Sequence, residues 1–194
     1  MAADAGTSAL WADFRFSPLS LAGVWLIDTV PKVDSRGHFE RTFCADIFRL
    51  QGLETSFVQR SNSFNAKRAT LRGLHFQRAP AAETKLVRCT RGAICDVVVD
   101  IRPGSKTFGK HLKIEMRSEK TQILYVPEGF AHGFLTLVDS TEVYYEITPT
   151  FQPSHAAGVR WNDPGLAIDW PLVPQIISER DRMLPALADF SQSR

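Results

Sequence analysis

A chain of 194 residues with 44% hydrophobic and 23% charged residues suits one domain with a sizeable core and excludes extensive disorder. Its 23 basic residues against 21 acidic ones leave a formal net charge of +2, without a long basic run, which argues against a nucleic-acid binder. Cys44, Cys89 and Cys95 show no CxxC spacing, so neither a disulfide framework nor a thiolate zinc site is indicated. With no leader-like or membrane-length apolar run, a soluble, cytoplasmic protein is expected.

The first dozen residues and the last few are expected to fray. Strand signals begin at 23–29 and 38–43, and 45–50 reads as a short helix. Further strands are predicted at 57–63, 70–76 and 85–90. Residues 93–101 form a β-branched run that stops at the turn Arg102-Pro103-Gly104-Ser105. Residues 111–116 alternate apolar and polar, as a half-buried strand should. Residues 122–126 run into the turn Pro127-Glu128-Gly129, 142–148 close at Pro149, and 178–184 read as a second short helix. Many short strands separated by turn residues predict an all-β antiparallel sandwich or barrel without repeats.

Two segments carry chemistry. Arg72 and His75 stand three apart in strand 70–76, and Lys85 follows ten residues after His75, able to return to the same place if a hairpin intervenes. The trio suits removal of a proton next to a carbonyl on a phosphate-bearing substrate. His titrates near neutrality, and a lysine can neutralise the developing enolate. Read alone, the same residues serve equally well as a strand-capping arginine and a satisfied core histidine. In the second segment, from Val126 to Phe134, a Pro-x-Gly turn aims His132 back across the sheet. Pro-x-Gly-x-x-His is the second half of the metal-cupin signature. The first half needs two histidines two apart and then a carboxylate, where this chain reads His75-Phe76-Gln77. Lacking the second imidazole, the signature points to a cupin barrel while arguing against a metal inside it.

The ordered motifs resemble the dTDP-4-dehydrorhamnose 3,5-epimerase family, the nucleotide-sugar epimerases of the cupin superfamily. The likeness runs from about Gly23 to Pro185. It includes Asp34-Ser-Arg-Gly-His-Phe39, Phe57-Val-Gln59, Thr70-Leu-Arg-Gly-Leu-His-Phe-Gln77 and Lys85-Leu-Val87. It continues through Asp96-Val-Val-Val-Asp-Ile-Arg102, Gly104-Ser-Lys-Thr-Phe-Gly109, Pro127-Glu-Gly-Phe-Ala-His-Gly-Phe134, Trp161-Asn-Asp-Pro164, Trp170-Pro171 and Ser178-Glu-Arg-Asp181. Each motif alone is weak; their order together is not. The resemblance implies a jelly-roll cupin, residues 1–194 being one epimerase domain with an N-terminal arm over about 1–20, a core over 21–175 and a C-terminal segment over 176–194.

It also implies roles. His75 matches the general base that removes the proton α to the C4 ketone of a 4-keto-6-deoxy nucleotide sugar. Asp181 resembles the carboxylate that orients it, Lys85 the enolate-stabilising cation, and Tyr145 the acid that reprotonates from the opposite face. Arg36, Gln59, Arg72 and His132 match substrate-binding positions. Phe151 stands where the family commonly has a tyrosine that stacks on thymine. Without the resemblance, Tyr145 reads as plain core and Asp181 as a helix-start residue. No cofactor and no metal are implied, nor any membrane or nucleic-acid partner. The expected partner is a nucleotide sugar, with a homodimer whose N-terminal strand edges are covered by exchange between subunits.

Three positions depart from the family: Phe151 for tyrosine, Arg41 where rhamnose-pathway members usually carry glutamate, and Ser154-His155-Ala156-Ala157 where an acid often follows Pro153. They fall on nucleotide and sugar contacts, so the expected substrate class includes relatives of the rhamnose precursor. The alternatives are an epimerase inverting only C3 or only C5, a metal-dependent cupin, and a sugar-binding cupin without turnover.

Overall fold

The computed structural model describes residues 12–191. The eleven residues before and three after, where fraying is expected, lie outside the described residues. The strands are β1 (Phe14–Pro18), β2 (Trp25–Thr29), β3 (Lys32–Asp34), β4 (Gly37–Phe39), β5 (Gln59–Asn65), β6 (Thr70–Gln77) and β7 (Thr84–Arg91). They continue with β8 (Ala93–Asp100), β9 (His111–Arg117), β10 (Gln122–Val126), β11 (Phe130–Thr136), β12 (Thr141–Thr148), β13 (Ala156–Gly158) and β14 (Ile176–Ile177). Three short α-helices accompany them among the described residues: α1 (Ala45–Leu50), α2 (Glu179–Arg182) and α3 (Leu187–Ser191). No helix there is long and apolar enough to cross a membrane.

Most strands form two large sheets, one in the order β1-β2-β10-β7-β12-β5 and the other in the order β13-β6-β11-β8-β9, while β3 and β4 pair as a separate hairpin. All pairings within them are antiparallel except that of β14, which runs parallel to β6. Period-2 alternation stacks these sheets into the expected jelly-roll sandwich. Val87 and Cys89 of β7, Leu124 and Val126 of β10, and Val143 of β12 face Ile94 and Val98 of β8 and Phe130 and Phe134 of β11 in one inter-sheet core. Alternate residues of the first sheet turn outward to α1, where Ile27, Leu86 and Ile123 meet Ile47 and Phe48. Alternate residues of the second, including Leu71, Val97 and Leu135, turn outward to Val159, Leu166 and Leu187 of the chain beyond β12.

Both faces of β8 and β11 are therefore covered, and every residue of each is buried. That explains why β11 shows no alternation and was not among the predicted strands. The segment expected as an arm contains β1, paired in register with β2. The strand predicted at 38–43 stops at Phe39, beyond which Glu40 binds Arg88 and the Thr29 hydroxyl while Arg41 binds Asp13. Lys85 does not return by a hairpin ladder. β6 and β7 belong to opposite sheets, so Lys85 and His75 meet across the sandwich.

Candidate active site

Residues three apart on a regular strand face opposite sides. Yet Arg72 and His75 line one cleft, because β6 bulges between them. Opposite β11, His75 pairs with His132 and Arg72 with Phe134, so β6 uses three residues where β11 uses two. The bulge needs its glycine. Gly73 has a φ of +127°, and a Cβ there would stand 2.7 Å from the Cα of Gly133.

The cleft, about 580 Å³, is the polar end of the inter-sheet space. On the wall of the second sheet, the Nε2 of His75 lies 2.7 Å from Oδ1 of Asp181. The carboxylate accepts, so Nε2 carries the proton and Nδ1 keeps the lone pair. Asp181 is buried, accepts the Gly73 N–H at 3.1 Å, and gives its own N–H to Ser178 Oγ, the N-cap of α2. Burial pushes its carboxyl up, but the bonds from His75, Gly73 and Ser178 more than offset this and hold it below the ordinary range. Asp181 is thus both a helix-start residue and the partner of His75.

From the first sheet come Lys85 and Tyr145. The Nζ of Lys85 is buried, 2.8 Å from Oε1 of Glu83 and 3.5 Å from the carbonyl oxygen of His75. Burial, and then the nearby Asp96, push the Tyr145 phenol well above its usual range, so it stays protonated at neutral pH. The edge of the His132 ring meets it with centroids 6.0 Å apart. Behind, Nε2 of His132 lies 2.9 Å from both oxygens of Asp96, whose carboxyl burial raises and His132 partly pulls back.

The rim binds differently. Arg72 donates from Nε to Asn65 Oδ1 at 2.7 Å and lines the mouth with Arg180 and the half-exposed Phe151. The Phe151 N–H donates to the Gln59 side chain, so Gln59 tethers the rim backbone without lining the cleft itself. Ala156 and Ala157 continue that wall. Seven of the expected site residues are therefore brought together: His75, Tyr145, Lys85, Asp181, Arg72, His132 and Phe151. Arg36 is not. It forks onto Asp34 in the β3–β4 turn, away from the cleft of its own chain. Arg41 likewise is held by Asp13.

Three residues escaped the sequence reading. Glu83 stands two before Lys85, the same-face spacing of a strand; Asp96 shares the inward parity of Ile94 and Val98; Arg180 precedes Asp181. Among the described residues no group of three or more His, Cys, Asp and Glu is placed to hold a metal ion. His75 and His132 each commit Nε2 to a carboxylate.

Residues 18–189 match the family model described as dTDP-4-dehydrorhamnose 3,5-epimerase. The chain belongs to the dTDP-4-dehydrorhamnose 3,5-epimerase family. A dTDP-4-dehydrorhamnose 3,5-epimerase of Sinorhizobium fredii is 42% identical over 182 residues, 93% of either chain. The solved dTDP-4-dehydrorhamnose 3,5-epimerase of Bacillus anthracis, with TDP and PPi bound, aligns with a TM-score of 0.87 at 39% identity. That alignment covers 89% of this chain and 99% of that one. A 3'-monoepimerase of Streptomyces bikiniensis, solved in complex with dTDP-quinovose, gives 0.85 at 33% identity over 90% and 89% of the two chains. Membership of the epimerase family makes the protein a carbohydrate epimerase of the isomerase class, on a cupin jelly roll.

Proposed function

We propose that the cleft epimerises a dTDP-linked 4-keto-6-deoxy hexose at the carbons flanking the ketone, C3, C5 or both. The observation that carries this is the placement of a carboxylate-held imidazole and a protonated phenol on opposite sheets of one cleft, with a buried ammonium in the same cleft. His75 Nδ1 takes the proton from carbon next to the C4 ketone, and Asp181 stabilises the imidazolium. The electron pair moves onto O4, which the Lys85 ammonium receives. Tyr145 then delivers the phenol proton to the other face of the same carbon.

Arg72 and Arg180 stand at the mouth for the diphosphate, which a guanidinium fork grips through two oxygens. Phe151 lies where the nucleobase stacks. The smaller Ala156 and Ala157 widen that wall, which suits a sugar or base differing from the rhamnose precursor. Arg36 contributes from the β3–β4 hairpin of a partner subunit in a homodimer. Incubation of dTDP-4-keto-6-deoxy hexoses in deuterated water, with the exchanged carbons mapped by NMR, tests the reading. Deuterium at C3 and C5 marks a double epimerase, deuterium at one of them a single-centre enzyme, and none at either overturns the proposal.

A further inference from the structure

One carboxylate in the cleft has no task in that reaction. Glu83 enters β7 two residues before Lys85, with its Oε1 2.8 Å from Lys85 Nζ. Side-chain exposures of 9% and 7% shield the pair from water, and both residues line the cleft. An acid beside a site that must gather negative charge on oxygen opposes the chemistry by itself. Its effect on Lys85 is the opposite. An ammonium has three donors. One meets Glu83 and a second faces the carbonyl oxygen of His75 at 3.5 Å, which leaves the third for a substrate oxygen. Two fixed acceptors, one from each sheet, thereby set the rotation of the ammonium and the direction of the remaining N–H.

Other charged and titratable groups face this part of the cleft: His75 and Arg72 from β6, Asp96 from β8, His132 from β11, Tyr145 from β12 and Asp181 from α2. β10 places Val126 opposite Lys85. Both oxygens of Asp96 serve His132, and Asp181 serves His75, so among the described residues the carboxylate paired with Lys85 is Glu83. We propose that Glu83 is a positioning residue for the epimerisation, which aims the Lys85 ammonium at the enolate oxygen. The proposal rests on Lys85 being the enolate cation.

Glu83→Gln keeps the size and one acceptor oxygen but removes the countercharge. With a dTDP-4-keto-6-deoxy hexose as substrate, kcat is expected to fall about tenfold while KM stays within about twofold. That loss is smaller than the roughly 10²–10³-fold typical of removing a direct oxyanion donor. Glu83→Asp keeps the charge and shortens the reach, so kcat drops while KM holds; it serves as the second variant should the first not fold. A folded Glu83→Gln enzyme with wild-type kcat overturns the proposal, as does a rise in KM alone, which would put Glu83 on a sugar hydroxyl. Lys85→Met separates the two readings. Wild-type solvent exchange in Lys85→Met sinks the role of Lys85 itself, whereas lost exchange there beside a wild-type Glu83→Gln kcat sinks the role of Glu83 alone.

Discussion

His75 and Tyr145 are separated by the width of the cleft, and single substitutions distinguish their proposed tasks. His75→Asn keeps a side chain of similar size without a basic nitrogen. Solvent exchange of the substrate α-protons is expected to drop by at least the roughly 10²–10⁴-fold that general-base catalysis supplies. Wild-type exchange in that variant would remove His75 from the base role. Tyr145→Phe deletes only the hydroxyl. Its expected signature is deuterium exchange that outpaces inversion, and an equal fall in both would place Tyr145 before the reprotonation step. Phe151, 47% exposed at the mouth and tethered through its N–H to Gln59, is expected to stack on the base. Phe151→Ala should weaken calorimetric binding of dTDP itself by about 1–3 kcal/mol. Unchanged binding would make position 151 part of the wall only. These residues could be named from their motifs, but Glu83 and Asp96 lay in runs without chemical punctuation, and only their partners reveal them.

Two elements each depend on a single residue. The bulge in β6 is the first: a methyl group at position 73 would collide with Gly133 at 2.7 Å in a φ region that disfavours any side chain. Gly73→Ala is expected to cost about 1–3 kcal/mol in urea unfolding and to lower kcat as well, since it shifts Arg72 against His75. The turn after β8 is the second. Asp100 is fully buried; burial pushes its carboxyl up, but the Arg102 guanidinium and the hydroxyls of Thr107 and Ser105 pull it far below the usual range. Its folded-state pKa is depressed, so its stabilisation is fully present above the unfolded carboxylate value of about 3.9 and is lost as pH falls below it. The urea midpoint should decline between about pH 4 and pH 2, and Asp100→Asn should lower the plateau at neutral pH and flatten that decline. An identical acid profile in the variant would show that other carboxylates govern it.

At the scale of the whole molecule, the β3–β4 hairpin stands apart from both sheets, with Val33 79% and Phe39 68% exposed. Apolar side chains so open on a short hairpin suit a subunit interface, and Arg36 at its tip then reaches a second chain's cleft. Sedimentation at micromolar concentration should give twice the 21.7 kDa chain mass. Arg36→Ala should raise KM while leaving that mass unchanged. A stable monomer would refute the dimer, and wild-type KM would remove Arg36 from substrate binding.

The fold class was legible from the chain alone because short β-branched runs, period-2 alternation and Pro/Gly turns are local properties. Strand 122–126 and helix 45–50 emerged with the bounds read from the residues. The segments that line the cleft were legible too, since Arg72-Gly73-Leu74-His75 and the turn Pro127-Glu128-Gly129 before His132 stand in order in the chain. Where β11 would lie was not, because burial on both faces erases alternation. Nor was the means by which residues 72 and 75 share a face, because a bulge depends on the partner strand's register. That Lys85 faces His75 from the opposite sheet, with Glu83 beside it, was decided only when the two sheets stacked. Sheet stacking rests on burial summed over distant strands, and no local stretch of sequence contains that sum.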